Sequence, residues 1–302
     1  MGRRRKGRDV HGVLLLDKPA GLSSNQAVQR VRWLFGARKA GHTGTLDPFA
    51  TGMLPICLGE ASKTPAFMLD AVKTYEDRAR LGEATETGDI EGAVTDNKDI
   101  PELDAEAIEA VMAAFRGDIE QVPPMYSALK HQGTPLYKLA REGKVVERPV
   151  RRVTIHRFEL LSWSAPDLEF GVQCSKGTYV RTLAEDLAVA LGTCAHLRAL
   201  RRTASGCFTG GMVTLEAIEA AAGQGTADDL LLAPDAGLAD WPRIDLDDTT
   251  ATRFSHGNPV PVRSAAPGMV RVYGPDDHLL GLGEVAGQEL KPRRIMNLQR
   301  GE

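Results

Sequence analysis

Hydrophobic positions along this chain fall into short runs with two different spacings. Residues 12–16 are apolar without interruption, as a strand covered on both faces would be. Lys18-Pro19-Ala20-Gly21 then makes a turn, and Ser23 or Ser24 is positioned to cap a helix carrying Val28, Val31 and Leu34 at helical spacing, with Gly36 ending it. A glycine-rich loop is predicted over 41–52, a strand over 53–58, a helix over 66–71 and a strand over 74–81. An acidic loop spans 82–92, and a helix covers 103–115 until Val122-Pro123-Pro124 breaks it. Residues 125–152 are polar and basic, with one short helix at 136–141. Strands follow at 152–163 and 168–174, and a helix at 182–191. Beyond Trp241-Pro242, short β-like pieces at 260–262, 269–273 and 279–283 read as a separate small unit. Many short strands mixed with a few helices indicate an α+β fold.

Composition changes this picture in one respect. The chain has 302 residues, 42% hydrophobic and 25% charged, with a formal net charge of -3 and a pI near 6.2. A polyanion partner therefore requires locally concentrated positive charge. Four clusters supply it: an arm over residues 1–10; Arg141, Lys144, Arg148, Arg151, Arg152 and Arg157; Arg198, Arg201 and Arg202; and Lys291, Arg293, Arg294 and Arg300. Charge alone does not separate RNA from DNA or a membrane surface. Cys57, Cys174, Cys194 and Cys207 lack zinc or redox spacing, which points to buried thiols in a reducing compartment. The basic start is followed by Asp17-Lys18-Pro19 rather than a long apolar stretch, so neither a signal peptide nor a membrane span is expected.

The densest chemistry lies in Gly41-His42-Thr43-Gly44-Thr45-Leu46-Asp47-Pro48-Phe49-Ala50-Thr51-Gly52. Pro48 biases Asp47 toward an extended backbone, and the glycines permit close approach of a large ligand. A carboxylate held stiffly at a loop apex suits a nucleophile or base. The other reading of a lone Asp-Pro is an Asx turn in which Asp47 caps its own loop, and for an isolated pair that reading is the commoner one. His42 alone is likewise more often structural. The loop lacks the Gly-Lys-Ser/Thr ending of a nucleotide-triphosphate site.

Residues 41–55 resemble the catalytic motif of the bacterial tRNA pseudouridine synthases that modify uridine 55 of the T loop. The resemblance continues in register over roughly residues 11–240. Gly12-Val13-Leu14-Leu15-Leu16-Asp17-Lys18-Pro19 is similar to that family's opening signature, and Lys73-Thr74-Tyr75-Glu76 to its second active-site motif. Thr85-Glu86-Thr87-Gly88-Asp89 is similar to its acidic loop. Pro123 to Lys130 and Tyr137 to Gly143 are similar to the segment that grips the T loop, and Cys174 to Arg181 to the third active-site motif. Gly192 to Arg202 is similar to the stretch that follows.

This resemblance implies an α+β fold: a mixed-sheet catalytic domain over 11–240 with flanking helices, an RNA-gripping insertion at 125–152, and a small PUA-like domain at 245–302. It implies isomerisation of a flipped-out uridine, a reaction without redox change that needs no cofactor, metal or nucleotide. Asp47 is then the nucleophile, whether it attacks C1′ or the uracil ring. Arg181 is its partner, expected at a buried strand end. Tyr75 offers a ring to stack on the base and a hydroxyl that could take the C5 proton. His42 helps hold the opened loop. Lys18 and Lys63 are phosphate or structural lysines, and Tyr126, Arg141, Lys144, Tyr179 and Arg202 are further RNA contacts. A cytoplasmic monomer acting on the T stem-loop of tRNA is the matching expectation. Two other readings share the fold: a non-catalytic RNA-binding or tRNA-folding protein, and a guide-RNA-dependent synthase, whose C-terminal domain is fuller than residues 245–302. A hydrolase with Asp47 as base would need a second carboxylate or a metal.

Overall fold

The computed structural model describes residues 7–262 and 266–298. The basic arm expected over 1–10 lies outside these up to residue 6, as does Arg300.

Strand β1 (Gly12–Lys18) is buried almost throughout. Helix α1 (Ser24–Leu34) follows, started by a reciprocal capping box between Ser23 and Gln26, an arrangement that contributes about 1 kcal/mol. The glycine-rich loop is shorter than expected. Strand β2 (Ala40–His42) and strand β3 (Thr51–Leu58) take both of its ends, and they pair with each other. Residues 43–50 are therefore a turn anchored at both sides. The helix expected at 66–71 contracts to α2 (Pro65–Met68), because a tight 3-10 turn at Gly59–Lys63 occupies the approach and Pro65 fixes the start.

Strand β4 (Lys73–Leu81) leads into the acidic segment, which is a hairpin of β5 (Glu83–Thr85) and β6 (Val94–Asn97) rather than an open loop. Helix α3 (Ala105–Ala113) and strand β7 (Gly117–Gln121) come next. The basic segment holds a small hairpin, β8 (Lys130–His131) and β9 (Thr134–Pro135), and helix α4 (Leu136–Arg141). Strands β10 (Arg151–Ser164) and β11 (Asp167–Cys174), helix α5 (Val180–Ala190), strand β12 (Ala195–Ser205) and helix α6 (Leu215–Gln224) complete the larger unit. The second unit contains β13 (Arg243–Asp245), α7 (Asp248–Ser255), β14 (Val260–Pro261), β15 (Gly268–Tyr273), β16 (Leu279–Ala286) and β17 (Glu289–Ile295).

The main sheet runs β1-β3-β12-β4-β11-β10-β7, with β2 also on β3. Only β12 and β3 pair in parallel; the other neighbours are antiparallel, so the sheet is mixed and the class is α+β, as the pattern implied. One face is covered by the helices through Leu14, Leu16, Leu54, Ile56, Val31 and Leu187. The other face of β1 and β3 packs Val13, Leu15, Met53 and Cys57 against Tyr273, Leu279, Leu282 and Met296 of the second unit. Cover on both faces explains why β1 and β3 read as continuous apolar runs rather than alternating ones.

Strand β12 has no counterpart in the sequence reading, which treats 198–202 as a cationic cluster. Its place is central, between β3 and β4. Its charges differ in fate: Arg202 is buried, Arg201 pairs with Asp17 at 2.8 Å, and Arg198 stays exposed, 3.7 Å from Asp167. Part of the cluster is therefore interior rather than a free polyanion-binding face.

Candidate active site

The turn carrying Asp47 is fixed from three directions. Ser24 Oγ accepts from the Leu46 amide at 2.8 Å and donates to the Leu46 carbonyl at 2.9 Å. The Gly21 amide and Lys18 Nζ both donate to the Pro48 carbonyl, at 2.8 and 3.1 Å. Behind the turn, Gly52 has φ of +95°, and a Cβ there would lie 2.2 Å from the Arg202 carbonyl oxygen, so strand contact excludes any larger residue. Gly41 meets no such obstacle. The result is a carboxylate on a stiff support, as a nucleophile requires.

Asp47 Oδ2 lies 3.0 Å from Nε of Arg181. The arginine is buried at 4% side-chain exposure, while the aspartate keeps 34%, so the pair is closed on the arginine side and only partly reached by solvent on the other. Arg181 is the second residue of α5, not the end of a strand as expected. Tyr179 precedes the helix without a side-chain cap. The buried Gln121 instead clamps the Tyr179 backbone, accepting from its amide at 3.1 Å and donating to its carbonyl at 3.3 Å. That clamp, reaching across from β7, sets where the guanidinium points.

The remaining Arg181 donors are satisfied by neighbouring segments. Nη1 donates to the Thr87 carbonyl at 2.6 Å and Nη2 to the Tyr126 carbonyl at 2.8 Å. Nη1 also lies 3.3 Å from the buried Asp89 carboxylate. Asp89 is thus a central member of the site that the sequence reading did not single out, although Thr85 to Asp89 was matched as a motif. Its carboxylate caps its own loop through Thr87 Oγ1 and the Glu91 amide. Gly88, with φ of +70°, leaves room for Glu185, since a Cβ there would sit 2.7 Å from Glu185 Oε1.

Burial raises the Asp47 carboxyl above its ordinary value; Arg181 pulls it back, and Asp89 pushes it up again. Tyr75 and Arg202 are direct cross-strand partners on β4 and β12. Burial pushes the Tyr75 hydroxyl up to about 12, against the opposing pull of Arg202. Arg202 donates to the carbonyls of Met53 at 2.7 Å, Gly44 at 3.2 Å and Thr45 at 3.4 Å, so it braces the Asp47 turn from behind. At 1% exposure it presents no surface to a phosphate, contrary to its expected role as an RNA contact. His42 Nδ1 accepts from the Gly44 amide at 3.2 Å, and burial followed by the Arg202 charge holds its imidazole below the ordinary value.

Lys18 is buried, donating to Pro19, Leu22 and Pro48 carbonyls, and burial lowers it to about 8. Its task is to hold the turn. Lys63 is not brought to Asp47. It pairs with Glu60 and donates to the Ile295 carbonyl at 2.7 Å, while Glu60 accepts from the Asn297 amide at 2.7 Å. The lysine therefore fastens the second unit to the first. Tyr126 donates its hydroxyl to Glu86 at 2.6 Å, next to the loop of Asp89. Arg141 stands 5.6 Å over the Tyr137 ring and Lys144 pairs with Glu142 at 2.8 Å, both on the exposed segment. Among the described residues, no three His, Cys, Asp or Glu side chains are grouped as metal ligands, and no helix is long and apolar enough to cross a membrane.

Family models match most of the chain. "TruB family pseudouridylate synthase (N terminal domain)" matches residues 32–180, "tRNA pseudouridylate synthase B C-terminal domain" matches 181–236, and "Pseudouridine synthase II TruB, C-terminal" matches 242–296. The chain is 51% identical over 305 aligned residues to a tRNA pseudouridine synthase B of Chromohalobacter salexigens, covering 98% of each. It is 50% identical to that of Pseudomonas aeruginosa, covering 96% of this chain and 97% of the relative. Among solved structures, one of a Cbf5-Nop10-Gar1 complex superposes with a TM-score of 0.72 at 26% identity, covering 94% of this chain and 84% of its own. The fold is that of a pseudouridine synthase, an RNA-modifying isomerase. The chain belongs to the TruB family of these enzymes.

Proposed function

We propose that the chain converts uridine 55 in the T loop of tRNA to pseudouridine, with Asp47 as the nucleophile on a flipped-out uridine. The observation that carries this reading is the Asp47–Arg181 pair. One carboxylate is half-buried, supported on a rigid turn, and faced by a buried guanidinium that favours its ionised form. The near-full-length relatives of about half identity are named as tRNA enzymes, which supports tRNA as the substrate class.

In this reading Tyr75 lies flat against the extruded base, because its position opposite Arg202 fixes it beside the Gly44–Asp47 turn. Its hydroxyl stays protonated at neutral pH. It can serve in removing the C5 proton only by passing its own proton onward. The backbone of Tyr126 and the side chain of Tyr179 line the approach, and Arg141 and Lys144 meet the tRNA backbone. A monomer acting in the cytoplasm on the T stem-loop completes the proposal. A pseudouridine map of tRNA from cells lacking the chain tests it: loss of the modification at uridine 55 alone is expected. Retention there, or loss in a different RNA, overturns it.

A further inference from the structure

Three cations are buried around the turn that carries Asp47, and their hydrogen-bond donors meet main-chain oxygens rather than carboxylates. Lys18 reaches Pro19, Leu22 and Pro48. Lys73 reaches Leu69 at 2.7 Å and Ala71 at 2.5 Å. Arg202 reaches Met53, Thr45 and Gly44. Carbonyl dipoles return only part of the hydration a charge loses on burial, so each cation is costly to keep.

The three differ in what answers their charge. Asp47 is the strongest charged neighbour acting on Lys18. Lys73 is pushed down to about 8 by burial and then by the Arg202 cation, with no carboxylate among its hydrogen-bond partners. Arg202 and Lys73 therefore oppose each other at close quarters. Gly44 lies over both: a Cβ there would be 3.7 Å from Arg202 Nη1 and 3.9 Å from Lys73 Cε. Tyr75 stands across the strand from Arg202, whose charge opposes the upward push of burial on its hydroxyl. Two like charges placed this close, beside the expected base-stacking ring, describe a site completed by negative charge from outside the protein.

We propose that Arg202 is a positioning residue for the isomerisation, locking Tyr75 to the Gly44–Met53 stretch and, with Lys73, supplying positive potential for the uracil anion. The inference rests on the isomerase reading of the Asp47 site. When the C1′–N1 bond breaks, its electron pair leaves on N1 and the uracil carries one negative charge, spread over N1 and its two carbonyl oxygens. The electron-poor C1′ faces Asp47. The charge disappears when C5 bonds to C1′, C5 loses its proton and N1 gains one, so no oxidant or reductant is needed. Preorganised cations in a water-poor site act most strongly on such a transient charge.

The test uses the full chain and full-length tRNA, measuring single-turnover rate, tRNA dissociation constant and melting temperature. Arg202→Met is expected to slow the chemical step about a hundredfold while tRNA affinity stays within about threefold. Arg202→Lys keeps charge without the fork and is expected to recover about tenfold of that loss. A folded Arg202→Met with a rate near that of the parent chain overturns the proposal, and so does an Arg202→Lys no faster than Arg202→Met. Should Arg202→Met fail to fold, Lys73→Met decides: a loss of about tenfold in rate at unchanged affinity supports the shared potential, and an unchanged rate overturns it. The parent chain, assayed on the same tRNA, separates the two levels. Its own inactivity defeats the isomerase reading, whereas slow variants beside an active parent bear on Arg202.

Discussion

Asp47 and Arg181 meet at 3.0 Å, Oδ2 to Nε, although the first sits in a turn between two strands and the second in a helix. The other guanidinium nitrogens hold the loop of Thr87 and Asp89 and the carbonyl of Tyr126. One buried arginine therefore joins Asp47 to the acidic hairpin and to the basic segment at 125–152. Disturbing any arm of this junction should be felt at the carboxylate.

Replacing Asp47 with Asn keeps the shape of the turn and removes the charge. Turnover is expected to fall below detection, while tRNA binding stays within about threefold, because the RNA-contacting segments are left intact. Filter binding beside a tritium-release or mass-shift assay checks both halves. Retained isomerisation would remove Asp47 from its role.

Arg181→Lys retains a positive charge but cannot reach the Asp47, Thr87, Asp89 and Tyr126 partners together. A loss of about a hundredfold or more in single-turnover rate is expected, since a point charge does not reproduce the planar fork. A rate within about threefold of the parent would show that the multiple contacts are incidental.

The acid limb of the rate profile should follow Asp47. In the proposed mechanism only its ionised form attacks, and burial together with Asp89 raises its carboxyl above the ordinary carboxylate value. Activity is then lost on acidification earlier than for a solvent-exposed aspartate. Asp89→Asn removes a negative charge that raises Asp47, so the limb should move to lower pH even as the maximum rate falls with the loosened Arg181. A limb that stays in place, or moves upward, contradicts this electrostatic account.

Much of this arrangement is visible in the sequence, and the exceptions share a physical origin. The apolar runs of β1 and β3, the Ser23 cap and the Asp47-Pro48 turn depend on neighbours close in the chain, and pattern reading finds them. Strand β12 escapes it because register shifts between Leu197 and Ala199, and between Arg202 and Ala204, break its two-residue alternation. Its arginines also read as surface charge until the fold supplies Asp17 for one and main-chain carbonyls for another. Arg181 is misplaced because Tyr179 offers no side-chain cap; the clamp comes from Gln121, distant in sequence. Asp89 is in a matched motif, but only its distance to Arg181 reveals what it does.

Glu185 provides a stability test. Burial raises its carboxyl from the ordinary 4.5 to about 7, with Arg181 opposing and Asp186 and Asp89 reinforcing. A carboxyl with a raised folded-state value costs nothing below 4.5, where both states are protonated. The cost grows as pH rises from there and is complete above about 7, where the native state must hold a charge that the unfolded chain carries freely. Glu185→Gln should therefore raise the melting temperature at pH ~8 by roughly 2–4 °C, after discounting for partial exposure, and leave it unchanged at pH ~4. An equal shift at both pH values would assign the effect to packing instead.

The basic segment at 125–152 should be where salt acts. In the free chain Lys144 is occupied by Glu142, Arg148 donates to the Pro123 carbonyl at 3.1 Å, and Arg141 rests over Tyr137. The Lys144 and Arg141 arrangements are weak and exposed and the Arg148 one is half-buried, all open to replacement by a phosphate backbone, whereas the inner edge is tied to the site through the Tyr126 carbonyl on Arg181 and the Tyr137 amide on Ser127. The segment should accordingly gain hydrogen-exchange protection over its outer part when tRNA is added, with its inner edge protected throughout. Changing Arg141, Lys144 and Arg148 together to Ala should weaken tRNA binding. It should also flatten the salt dependence by about 0.7–0.9 in slope for each phosphate left without its cation. The chemical step at saturating tRNA should stay within about threefold of the parent, because none of the three side chains touches Asp47, Arg181 or Asp89. An unchanged salt slope, or equal protection with and without tRNA, would mean that phosphates are gripped elsewhere on the molecule.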